Sequence, residues 1–153
     1  MQIHFRDFTG RPPEEALLYQ FVHALYAEDI EGKPMTDEKI QRTIRQLSRY
    51  PELGAIHLVE VDEQLVGYAL TINYWSNEYG GNYISIDEMY ILPEYRSQGI
   101  ASRFFEYLQQ ARFPEAVAFE LQVMPANTRA LQLYLRLGFQ INDRLHLYYE
   151  PEE

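Results

Sequence analysis

At 153 residues with 46% apolar and 14% aromatic side chains, the chain is the size of one domain, able to bury about two-thirds of its unfolded surface without staples. It has no cysteine, which excludes disulfides, thiolate chemistry and cysteine-ligated metals and is compatible with a reducing cytoplasm. A net charge of −10 argues against nonspecific nucleic-acid binding, no apolar run approaches the ~18 residues that span a bilayer, and the N-terminus lacks the basic-then-apolar pattern of a signal peptide.

Residues 2–6 read as a first strand. Pro12-Pro13-Glu14-Glu15 opens a helix whose apolar series Leu17, Leu18, Phe21, Val22 and Leu25 runs to about Ala27. Gly32, Lys33 and Pro34 break it, and Thr36 opens a second helix through Ile40, Ile44 and Leu47 that stops before Pro51. Strands over 55–61 and 65–74 flank the hairpin turn Asp62-Glu63-Gln64. Gly80-Gly81 then turn the chain into an apolar-rich strand over 83–92 that ends at Pro93. A helix over 99–111 comes next, with Ile100, Ala101, Phe104, Phe105 and Leu108 at steps of three and four. A strand over 116–123, a helix over 127–137 and two short strands near 139–142 and 145–149 complete the series. With no repeat, linker or low-complexity tract, residues 1–153 read as a single mixed α/β domain. Its first half is antiparallel, and a parallel crossover runs through helix 99–111.

The most informative stretch is 84–101. A strand that passes through a glycine loop into a helix leaves backbone N–H groups unpaired at the positive end of the helix dipole, where a phosphate binds without any particular side chain. Gly99 removes the Cβ that would block a close ligand, and Ala101 keeps the first turn open. A Walker A loop is excluded because no lysine follows Lys39, and a dinucleotide fingerprint because residues 96–104 hold one glycine. Arg96-Ser97-Gln98-Gly99-Ile100-Ala101 resembles the acyl-CoA pyrophosphate loop of the GNAT superfamily of N-acyltransferases, Arg/Gln-x-x-Gly-x-Gly/Ala. Asn127, Ala130, Tyr134, Gly138 and Phe139 resemble the second signature of the same family, Asn-x-x-Ala-x-x-x-Tyr-x-x-x-Gly-Phe. The resemblance covers the chain in the order of its elements and is specific across 84–139.

That resemblance implies a GNAT-like fold, a central mixed but mostly antiparallel sheet of about seven strands flanked by about four helices, with acetyl-CoA as cosubstrate. It implies that the pantetheine arm pairs with strand backbone at Met89 and Ile91. It also implies that the loop from Arg96 holds the pyrophosphate on the amides of Ser97, Gln98, Gly99, Ile100, Ala101 and Ser102. CoA is itself anionic, so backbone dipoles and Arg96, Arg103, Arg129 and Arg136 must outweigh a repulsive long-range field that salt screens beyond ~8 Å. Asn127 opens a helix, where an asparagine cap is worth ~1 kcal/mol; the family reading adds a hydrogen bond to the CoA arm. Tyr134 lies two turns further along the same face and matches the tyrosine that the family uses as general acid, its ordinary pKa of ~10 letting it hold a proton at neutral pH. The plain structural alternative is a core aromatic.

Transfer from a thioester to an amine also needs a base. Asp87 and Glu88 interrupt a strand that is otherwise Ile, Ile, Met, Tyr, Ile and Leu, and carboxylates are expensive to bury there. Adjacent strand residues point to opposite faces unless a bulge intervenes. Similar positions in diamine N-acetyltransferases carry two acids. Glu88 is the preferred amine-facing group or water-mediated base, Asp87 its alternative and Glu120 a third acid. Trp75, Glu78 and Tyr79, with Tyr74, give loop 74–82 an aromatic and acidic lining suited to a cation, or else a homodimer contact. His4, His23, His57 and His146 have no metal-ligand spacing, and no metal is expected. The resulting expectation is a cytoplasmic acetyl-CoA-dependent N-acetyltransferase that acts on a primary amine of a small cationic molecule by direct attack in a ternary complex. The alternatives are a protein or peptide N-acetyltransferase and a CoA-binding module without catalysis.

Overall fold

A computed structural model describes residues 1–29 and 32–152. Its regular elements, in order, are β1 (Ile3–Asp7), α1 (Pro12–Glu28), α2 (Asp37–Arg49), β2 (Gly54–Val61), β3 (Gln64–Ser76), β4 (Gly81–Ile91), α3 (Ile100–Tyr107), β5 (Ala118–Leu121) and α4 (Thr128–Arg136). The chain divides into two compact units, Met1–Gln122 and the stretch from Val123 onward.

In the first unit the strands lie in the order β1-β2-β3-β4-β5. The first four are antiparallel, and β4 pairs with β5 in parallel through the α3 crossover. Local chemistry sets the ends of these elements. Pro12 and Pro13 preset the first turn of α1, and Thr36 caps α2 by accepting a hydrogen bond from the Lys39 amide at 3.2 Å. The β2–β3 turn places Asp62 and Glu63 at φ 48° and 69°, as a two-residue turn with the right-handed strand twist requires. Leu18, Phe21 and Val22 of α1 and Ile40 and Leu47 of α2 pack on Leu58, Tyr68, Leu70 and Tyr90 of one sheet face. On the other face Val59, Val61 and Val66 meet Ile100 of α3, while Phe104 lies 5.3 Å from the rings of both Phe5 and His57. Side chains as buried as Leu58 and Phe104 each contribute about 1.5–3 kcal/mol.

Two departures from regularity shape the surroundings of β4. Leu70 stands opposite Glu88 but Thr71 stands opposite Ile86, so Asp87 is an extra residue, a β-bulge. The bulge puts Glu88 and Tyr90 on the face covered by α1 and α2, and Ile84 and Ile86 on the face covered by α3. In addition, β5 accompanies β4 only from Tyr83 to Ile86. Beyond that point β4 has no strand neighbour on its outer side among the described residues.

The second unit is built around α4. Asn127 accepts from the Ala130 amide at 3.2 Å, capping the N-terminus. At the other end the Gly138 amide donates to the Leu135 carbonyl at 3.1 Å and the Phe139 amide to the Tyr134 carbonyl at 3.0 Å. Gly138 sits at φ 104°, which completes a Schellman stop. The Tyr134 and Phe139 rings, 5.5 Å apart, supply the apolar contact that accompanies such a stop. The sheet has five strands among the described residues rather than about seven, because 139–142 and 145–149 form no strand. Leu145, Leu147 and Tyr149 alternate as a strand requires, yet they are 85–90% exposed. Alternation only permits a strand; a partner must complete it.

Candidate active site

Between β4 and α3 the chain makes a short 3-10 turn, Pro93–Tyr95, and then the loop 96–99. The Arg96 guanidinium donates from Nε to the Ile91 carbonyl and from Nη2 to Glu28 Oε1, both at 2.7 Å, and lies over the Tyr90 ring at 5.3 Å. Gln98 donates to the Glu94 carbonyl at 3.2 Å. These side chains brace the loop from inside. Ser97 and Gly99 have φ of 64° and 82°, the left-handed conformations that turn successive amides toward a common concavity suited to an anion. An added Cβ on Gly99 would meet nothing within 4 Å, so space lies open above it. Gly99 also has no side chain to cap the α3 amides at Ile100, Ala101 and Ser102, which leaves them oriented at the positive end of the helix dipole.

The outer edge of β4, with no strand beside it beyond Ile86 among the described residues, adjoins this loop, and its Ile91 carbonyl is taken by Arg96. Leu92 donates its amide to Val66 on the β3 side, so by strand alternation the amides of Met89 and Ile91 point to the open side. That edge can accept an extended arm as an added strand. The Met89 and Ile91 side chains pack against the α3-side core.

Glu88 projects to the other face, among α1 and α2. Tyr68 donates its hydroxyl to Glu88 Oε1 at 2.8 Å, and Tyr26 donates to Oε2. Burial pushes the Glu88 carboxyl above the usual range against the pull of the two hydroxyls, and the neighbouring Asp87 adds to the rise. Asp87, at the bulge, is also raised by desolvation. Both tyrosines are raised, by burial first and Glu88 next, so they remain donors. Beside Glu88 lies a cavity of about 40 Å³ bordered by Val22, Ile40, Ile44, Ile56 and Leu70.

Tyr74 and Tyr83 stack at 4.9 Å and Tyr79 joins Tyr83 at 5.6 Å. Burial, the Glu120 charge and Tyr83 push the Tyr74 hydroxyl up to about 12, which places Glu120 in this aromatic group. Trp75 is 68% exposed and, one residue on from Tyr74, faces the opposite side of the hairpin. It is not brought together with Glu88. Glu78 lies exposed in the turn between β3 and β4. In the second unit Asn127 Oδ1 is taken by its cap, and burial raises the Tyr134 hydroxyl.

Sequence reasoning missed Tyr26, Tyr68 and Glu28. Tyr26 falls four residues after Val22 on the apolar face of α1, which was a usable signal. Tyr68 reaches Glu88 only through a register that the bulge defines. The Glu28–Arg96 pair joins residues far apart in the chain, with no local trace.

Comparison with known proteins finds acetyltransferases by sequence and by fold. The chain is 35% identical to the thialysine N-epsilon-acetyltransferase of Sus scrofa over 75 residues, 48% of this chain and 44% of that protein; the matched stretch thus spans less than half of the curated relative. A crystal structure described as a possible acetyltransferase from Clostridium difficile 630 superposes with a TM-score of 0.80 at 24% identity, covering 99% of each chain. An aminoglycoside acetyltransferase from an uncultured soil metagenomic sample, solved with trehalose, gives 0.73 at 14% identity, covering 98% of this chain and 97% of that one. The sequence pattern of the acetyltransferase (GNAT) family matches residues 18–139, taking in the loop 96–99, both β4 carboxylates and α4, and the chain belongs to that family.

Proposed function

We propose that the protein transfers the acetyl group of acetyl-CoA to the primary amine of a small molecule that arrives as an ammonium ion, by direct attack in a ternary complex. The observation that carries this reading is Glu88, a half-buried carboxylate fixed by two tyrosine hydroxyls on a strand whose outer edge is open. Acetyl-CoA supplies the acetyl group as an activated thioester. The amides from Ser97 to Ser102 hold its pyrophosphate, and the β4 edge at Met89 and Ile91 aligns its pantetheine arm. Glu88 attracts the ammonium and takes its proton, directly or through water, which frees the lone pair for attack. Its raised proton affinity suits a base. Tyr26 and Tyr68 hold the carboxylate in one orientation; the family signature that Tyr134 matches supports it as the acid for the leaving sulfur, and burial keeps its hydroxyl protonated at neutral pH. The family match runs from the first unit into the second, which supports one working domain over 1–153. The named activities of the relatives, on thialysine and aminoglycosides, support a small amine as acceptor. No helix among the described residues is long and apolar enough to cross a membrane, and a cytoplasmic setting is part of the proposal.

CoA release with a panel of amines tests the reading. Glu88→Gln keeps the volume and removes the charge. It is expected to lower kcat by ~10²-fold with acetyl-CoA affinity unchanged and a melting temperature equal or higher, since burial disfavours the ionised carboxylate. Tyr134→Phe is expected to lower kcat by a similar factor. A Tyr134→Phe protein that turns over normally but melts earlier makes that residue a core aromatic. If Glu88→Gln is fully active while Asp87→Asn is not, the bulged acid is the base.

A further inference from the structure

The wall of the cavity beside Glu88 is aliphatic at Val22, Ile40, Ile44, Ile56 and Leu70, and Glu88 is its one charged side chain among the described residues. From this juxtaposition we infer that the acceptor is a monoamine on a short, unbranched apolar stem of about two to four carbons, its ammonium on Glu88 and its stem in the cavity. The inference rests on the reading of Glu88 as the amine-facing acid. One carboxylate balances one ammonium. A second cation on the stem meets a mainly aliphatic wall with no second carboxylate in it, and a buried charge without a charged partner is heavily penalised. The two hydroxyls on the wall, of Thr43 and Tyr68, can accept a hydrogen bond but carry no charge to balance a second ammonium. At about 40 Å³ the cavity holds roughly three water-sized groups, at ~10–15 Å³ each, which limits the stem. A polyamine or a hydroxylated sugar fits neither its polarity nor its size.

The test compares ethylamine, n-propylamine, n-butylamine and 1,3-diaminopropane, the last two having the same number of heavy atoms. Both kcat/KM and equilibrium binding by calorimetry are read. Each methylene up to butylamine should raise kcat/KM and affinity roughly three- to fourfold. Butylamine should exceed diaminopropane by about 100-fold. Ile44 is half-buried on α2, so it tolerates change: Ile44→Phe should abolish the chain-length gain, and Ile44→Glu should move the ratio toward the diamine by at least ~10-fold. Should either variant fail to fold, the wild-type series decides alone. If the diamine is acetylated as well as butylamine, the apolar-stem inference falls and the acetyltransferase reading stands. If alkylamines bind with the chain-length trend and none is acetylated, the acetyltransferase reading falls and the site stands. If no alkylamine binds or reacts, the inference is overturned.

Discussion

His57 has no exposed surface, its Nε2 is paired with Thr71 Oγ1 at 2.8 Å and its Nδ1 has no hydrogen-bond partner. Burial lowers its pKa to about 4, against a rise from Asp7 and a further lowering from Arg112. The folded protein therefore keeps a neutral ring while the unfolded chain takes up a proton near pH ~6.5. The unfolded state binds more protons, so the stability contribution is fully present above pH ~6.5 and is lost as pH falls toward about 4. Urea unfolding should show a loss of about 2 kcal/mol between pH 7 and 5, and the slope should vanish in His57→Phe. A slope that survives the substitution belongs to other groups. At this same scale, the residues of the second signature have a structural account. Asn127 caps α4 on the Ala130 amide, and Tyr134, Gly138 and Phe139 build its stop. Tyr134 is thus carried on a helix whose two ends are both fixed.

The loop 96–99 is tested as an element. Gly99→Val introduces both strain at positive φ and a branched side chain in the open space above α3. Gly10, at φ 85° with nothing within 4 Å of an added Cβ, is a control for strain alone. Both valine variants should lose about 1–2 kcal/mol of stability, and only Gly99→Val should lose acetyl-CoA affinity, by at least ~10-fold in a calorimetric titration. Equal affinities in the two remove the loop from the proposed site. The helices and the loop were legible because their signals are local: Thr36 before α2, the prolines of α1, Asn127 and Gly138 around α4. The β4 bulge was not legible, since an extra residue is defined only against the strand opposite it. The same reason explains the two final strands, where Leu145, Leu147 and Tyr149 carry the alternation of a strand without the pairing. It also explains why Glu88 was visible and its two tyrosine partners were not.

Across the whole molecule, a net charge of −10 sets opposite fields for the two proposed ligands. Acetyl-CoA is repelled at long range and held by backbone at short range; an ammonium is attracted throughout. Raising salt from ~20 to ~150 mM shortens the screening length to ~8 Å. The KM for the amine should rise about two- to fivefold, whereas the Kd for acetyl-CoA should stay constant or fall. A parallel weakening of both would show that the acidic surface steers neither.

The strand order of the first unit also bears on time. β2, β3 and β4 are chain neighbours joined by tight turns, whereas β1 must find β2 across both helices and β5 must wait for the α3 crossover. Closing the short turns loses little chain entropy, so the central meander is the natural folding nucleus. In stopped-flow chevrons Leu58→Ala, in the meander, should mainly slow folding, with a φ-value above ~0.5, while Phe5→Leu, in β1, should mainly speed unfolding, with one below ~0.3. Edge strands that join late also leave first, so the half-life of the native state is set at β1 and β5 rather than at the well-packed centre.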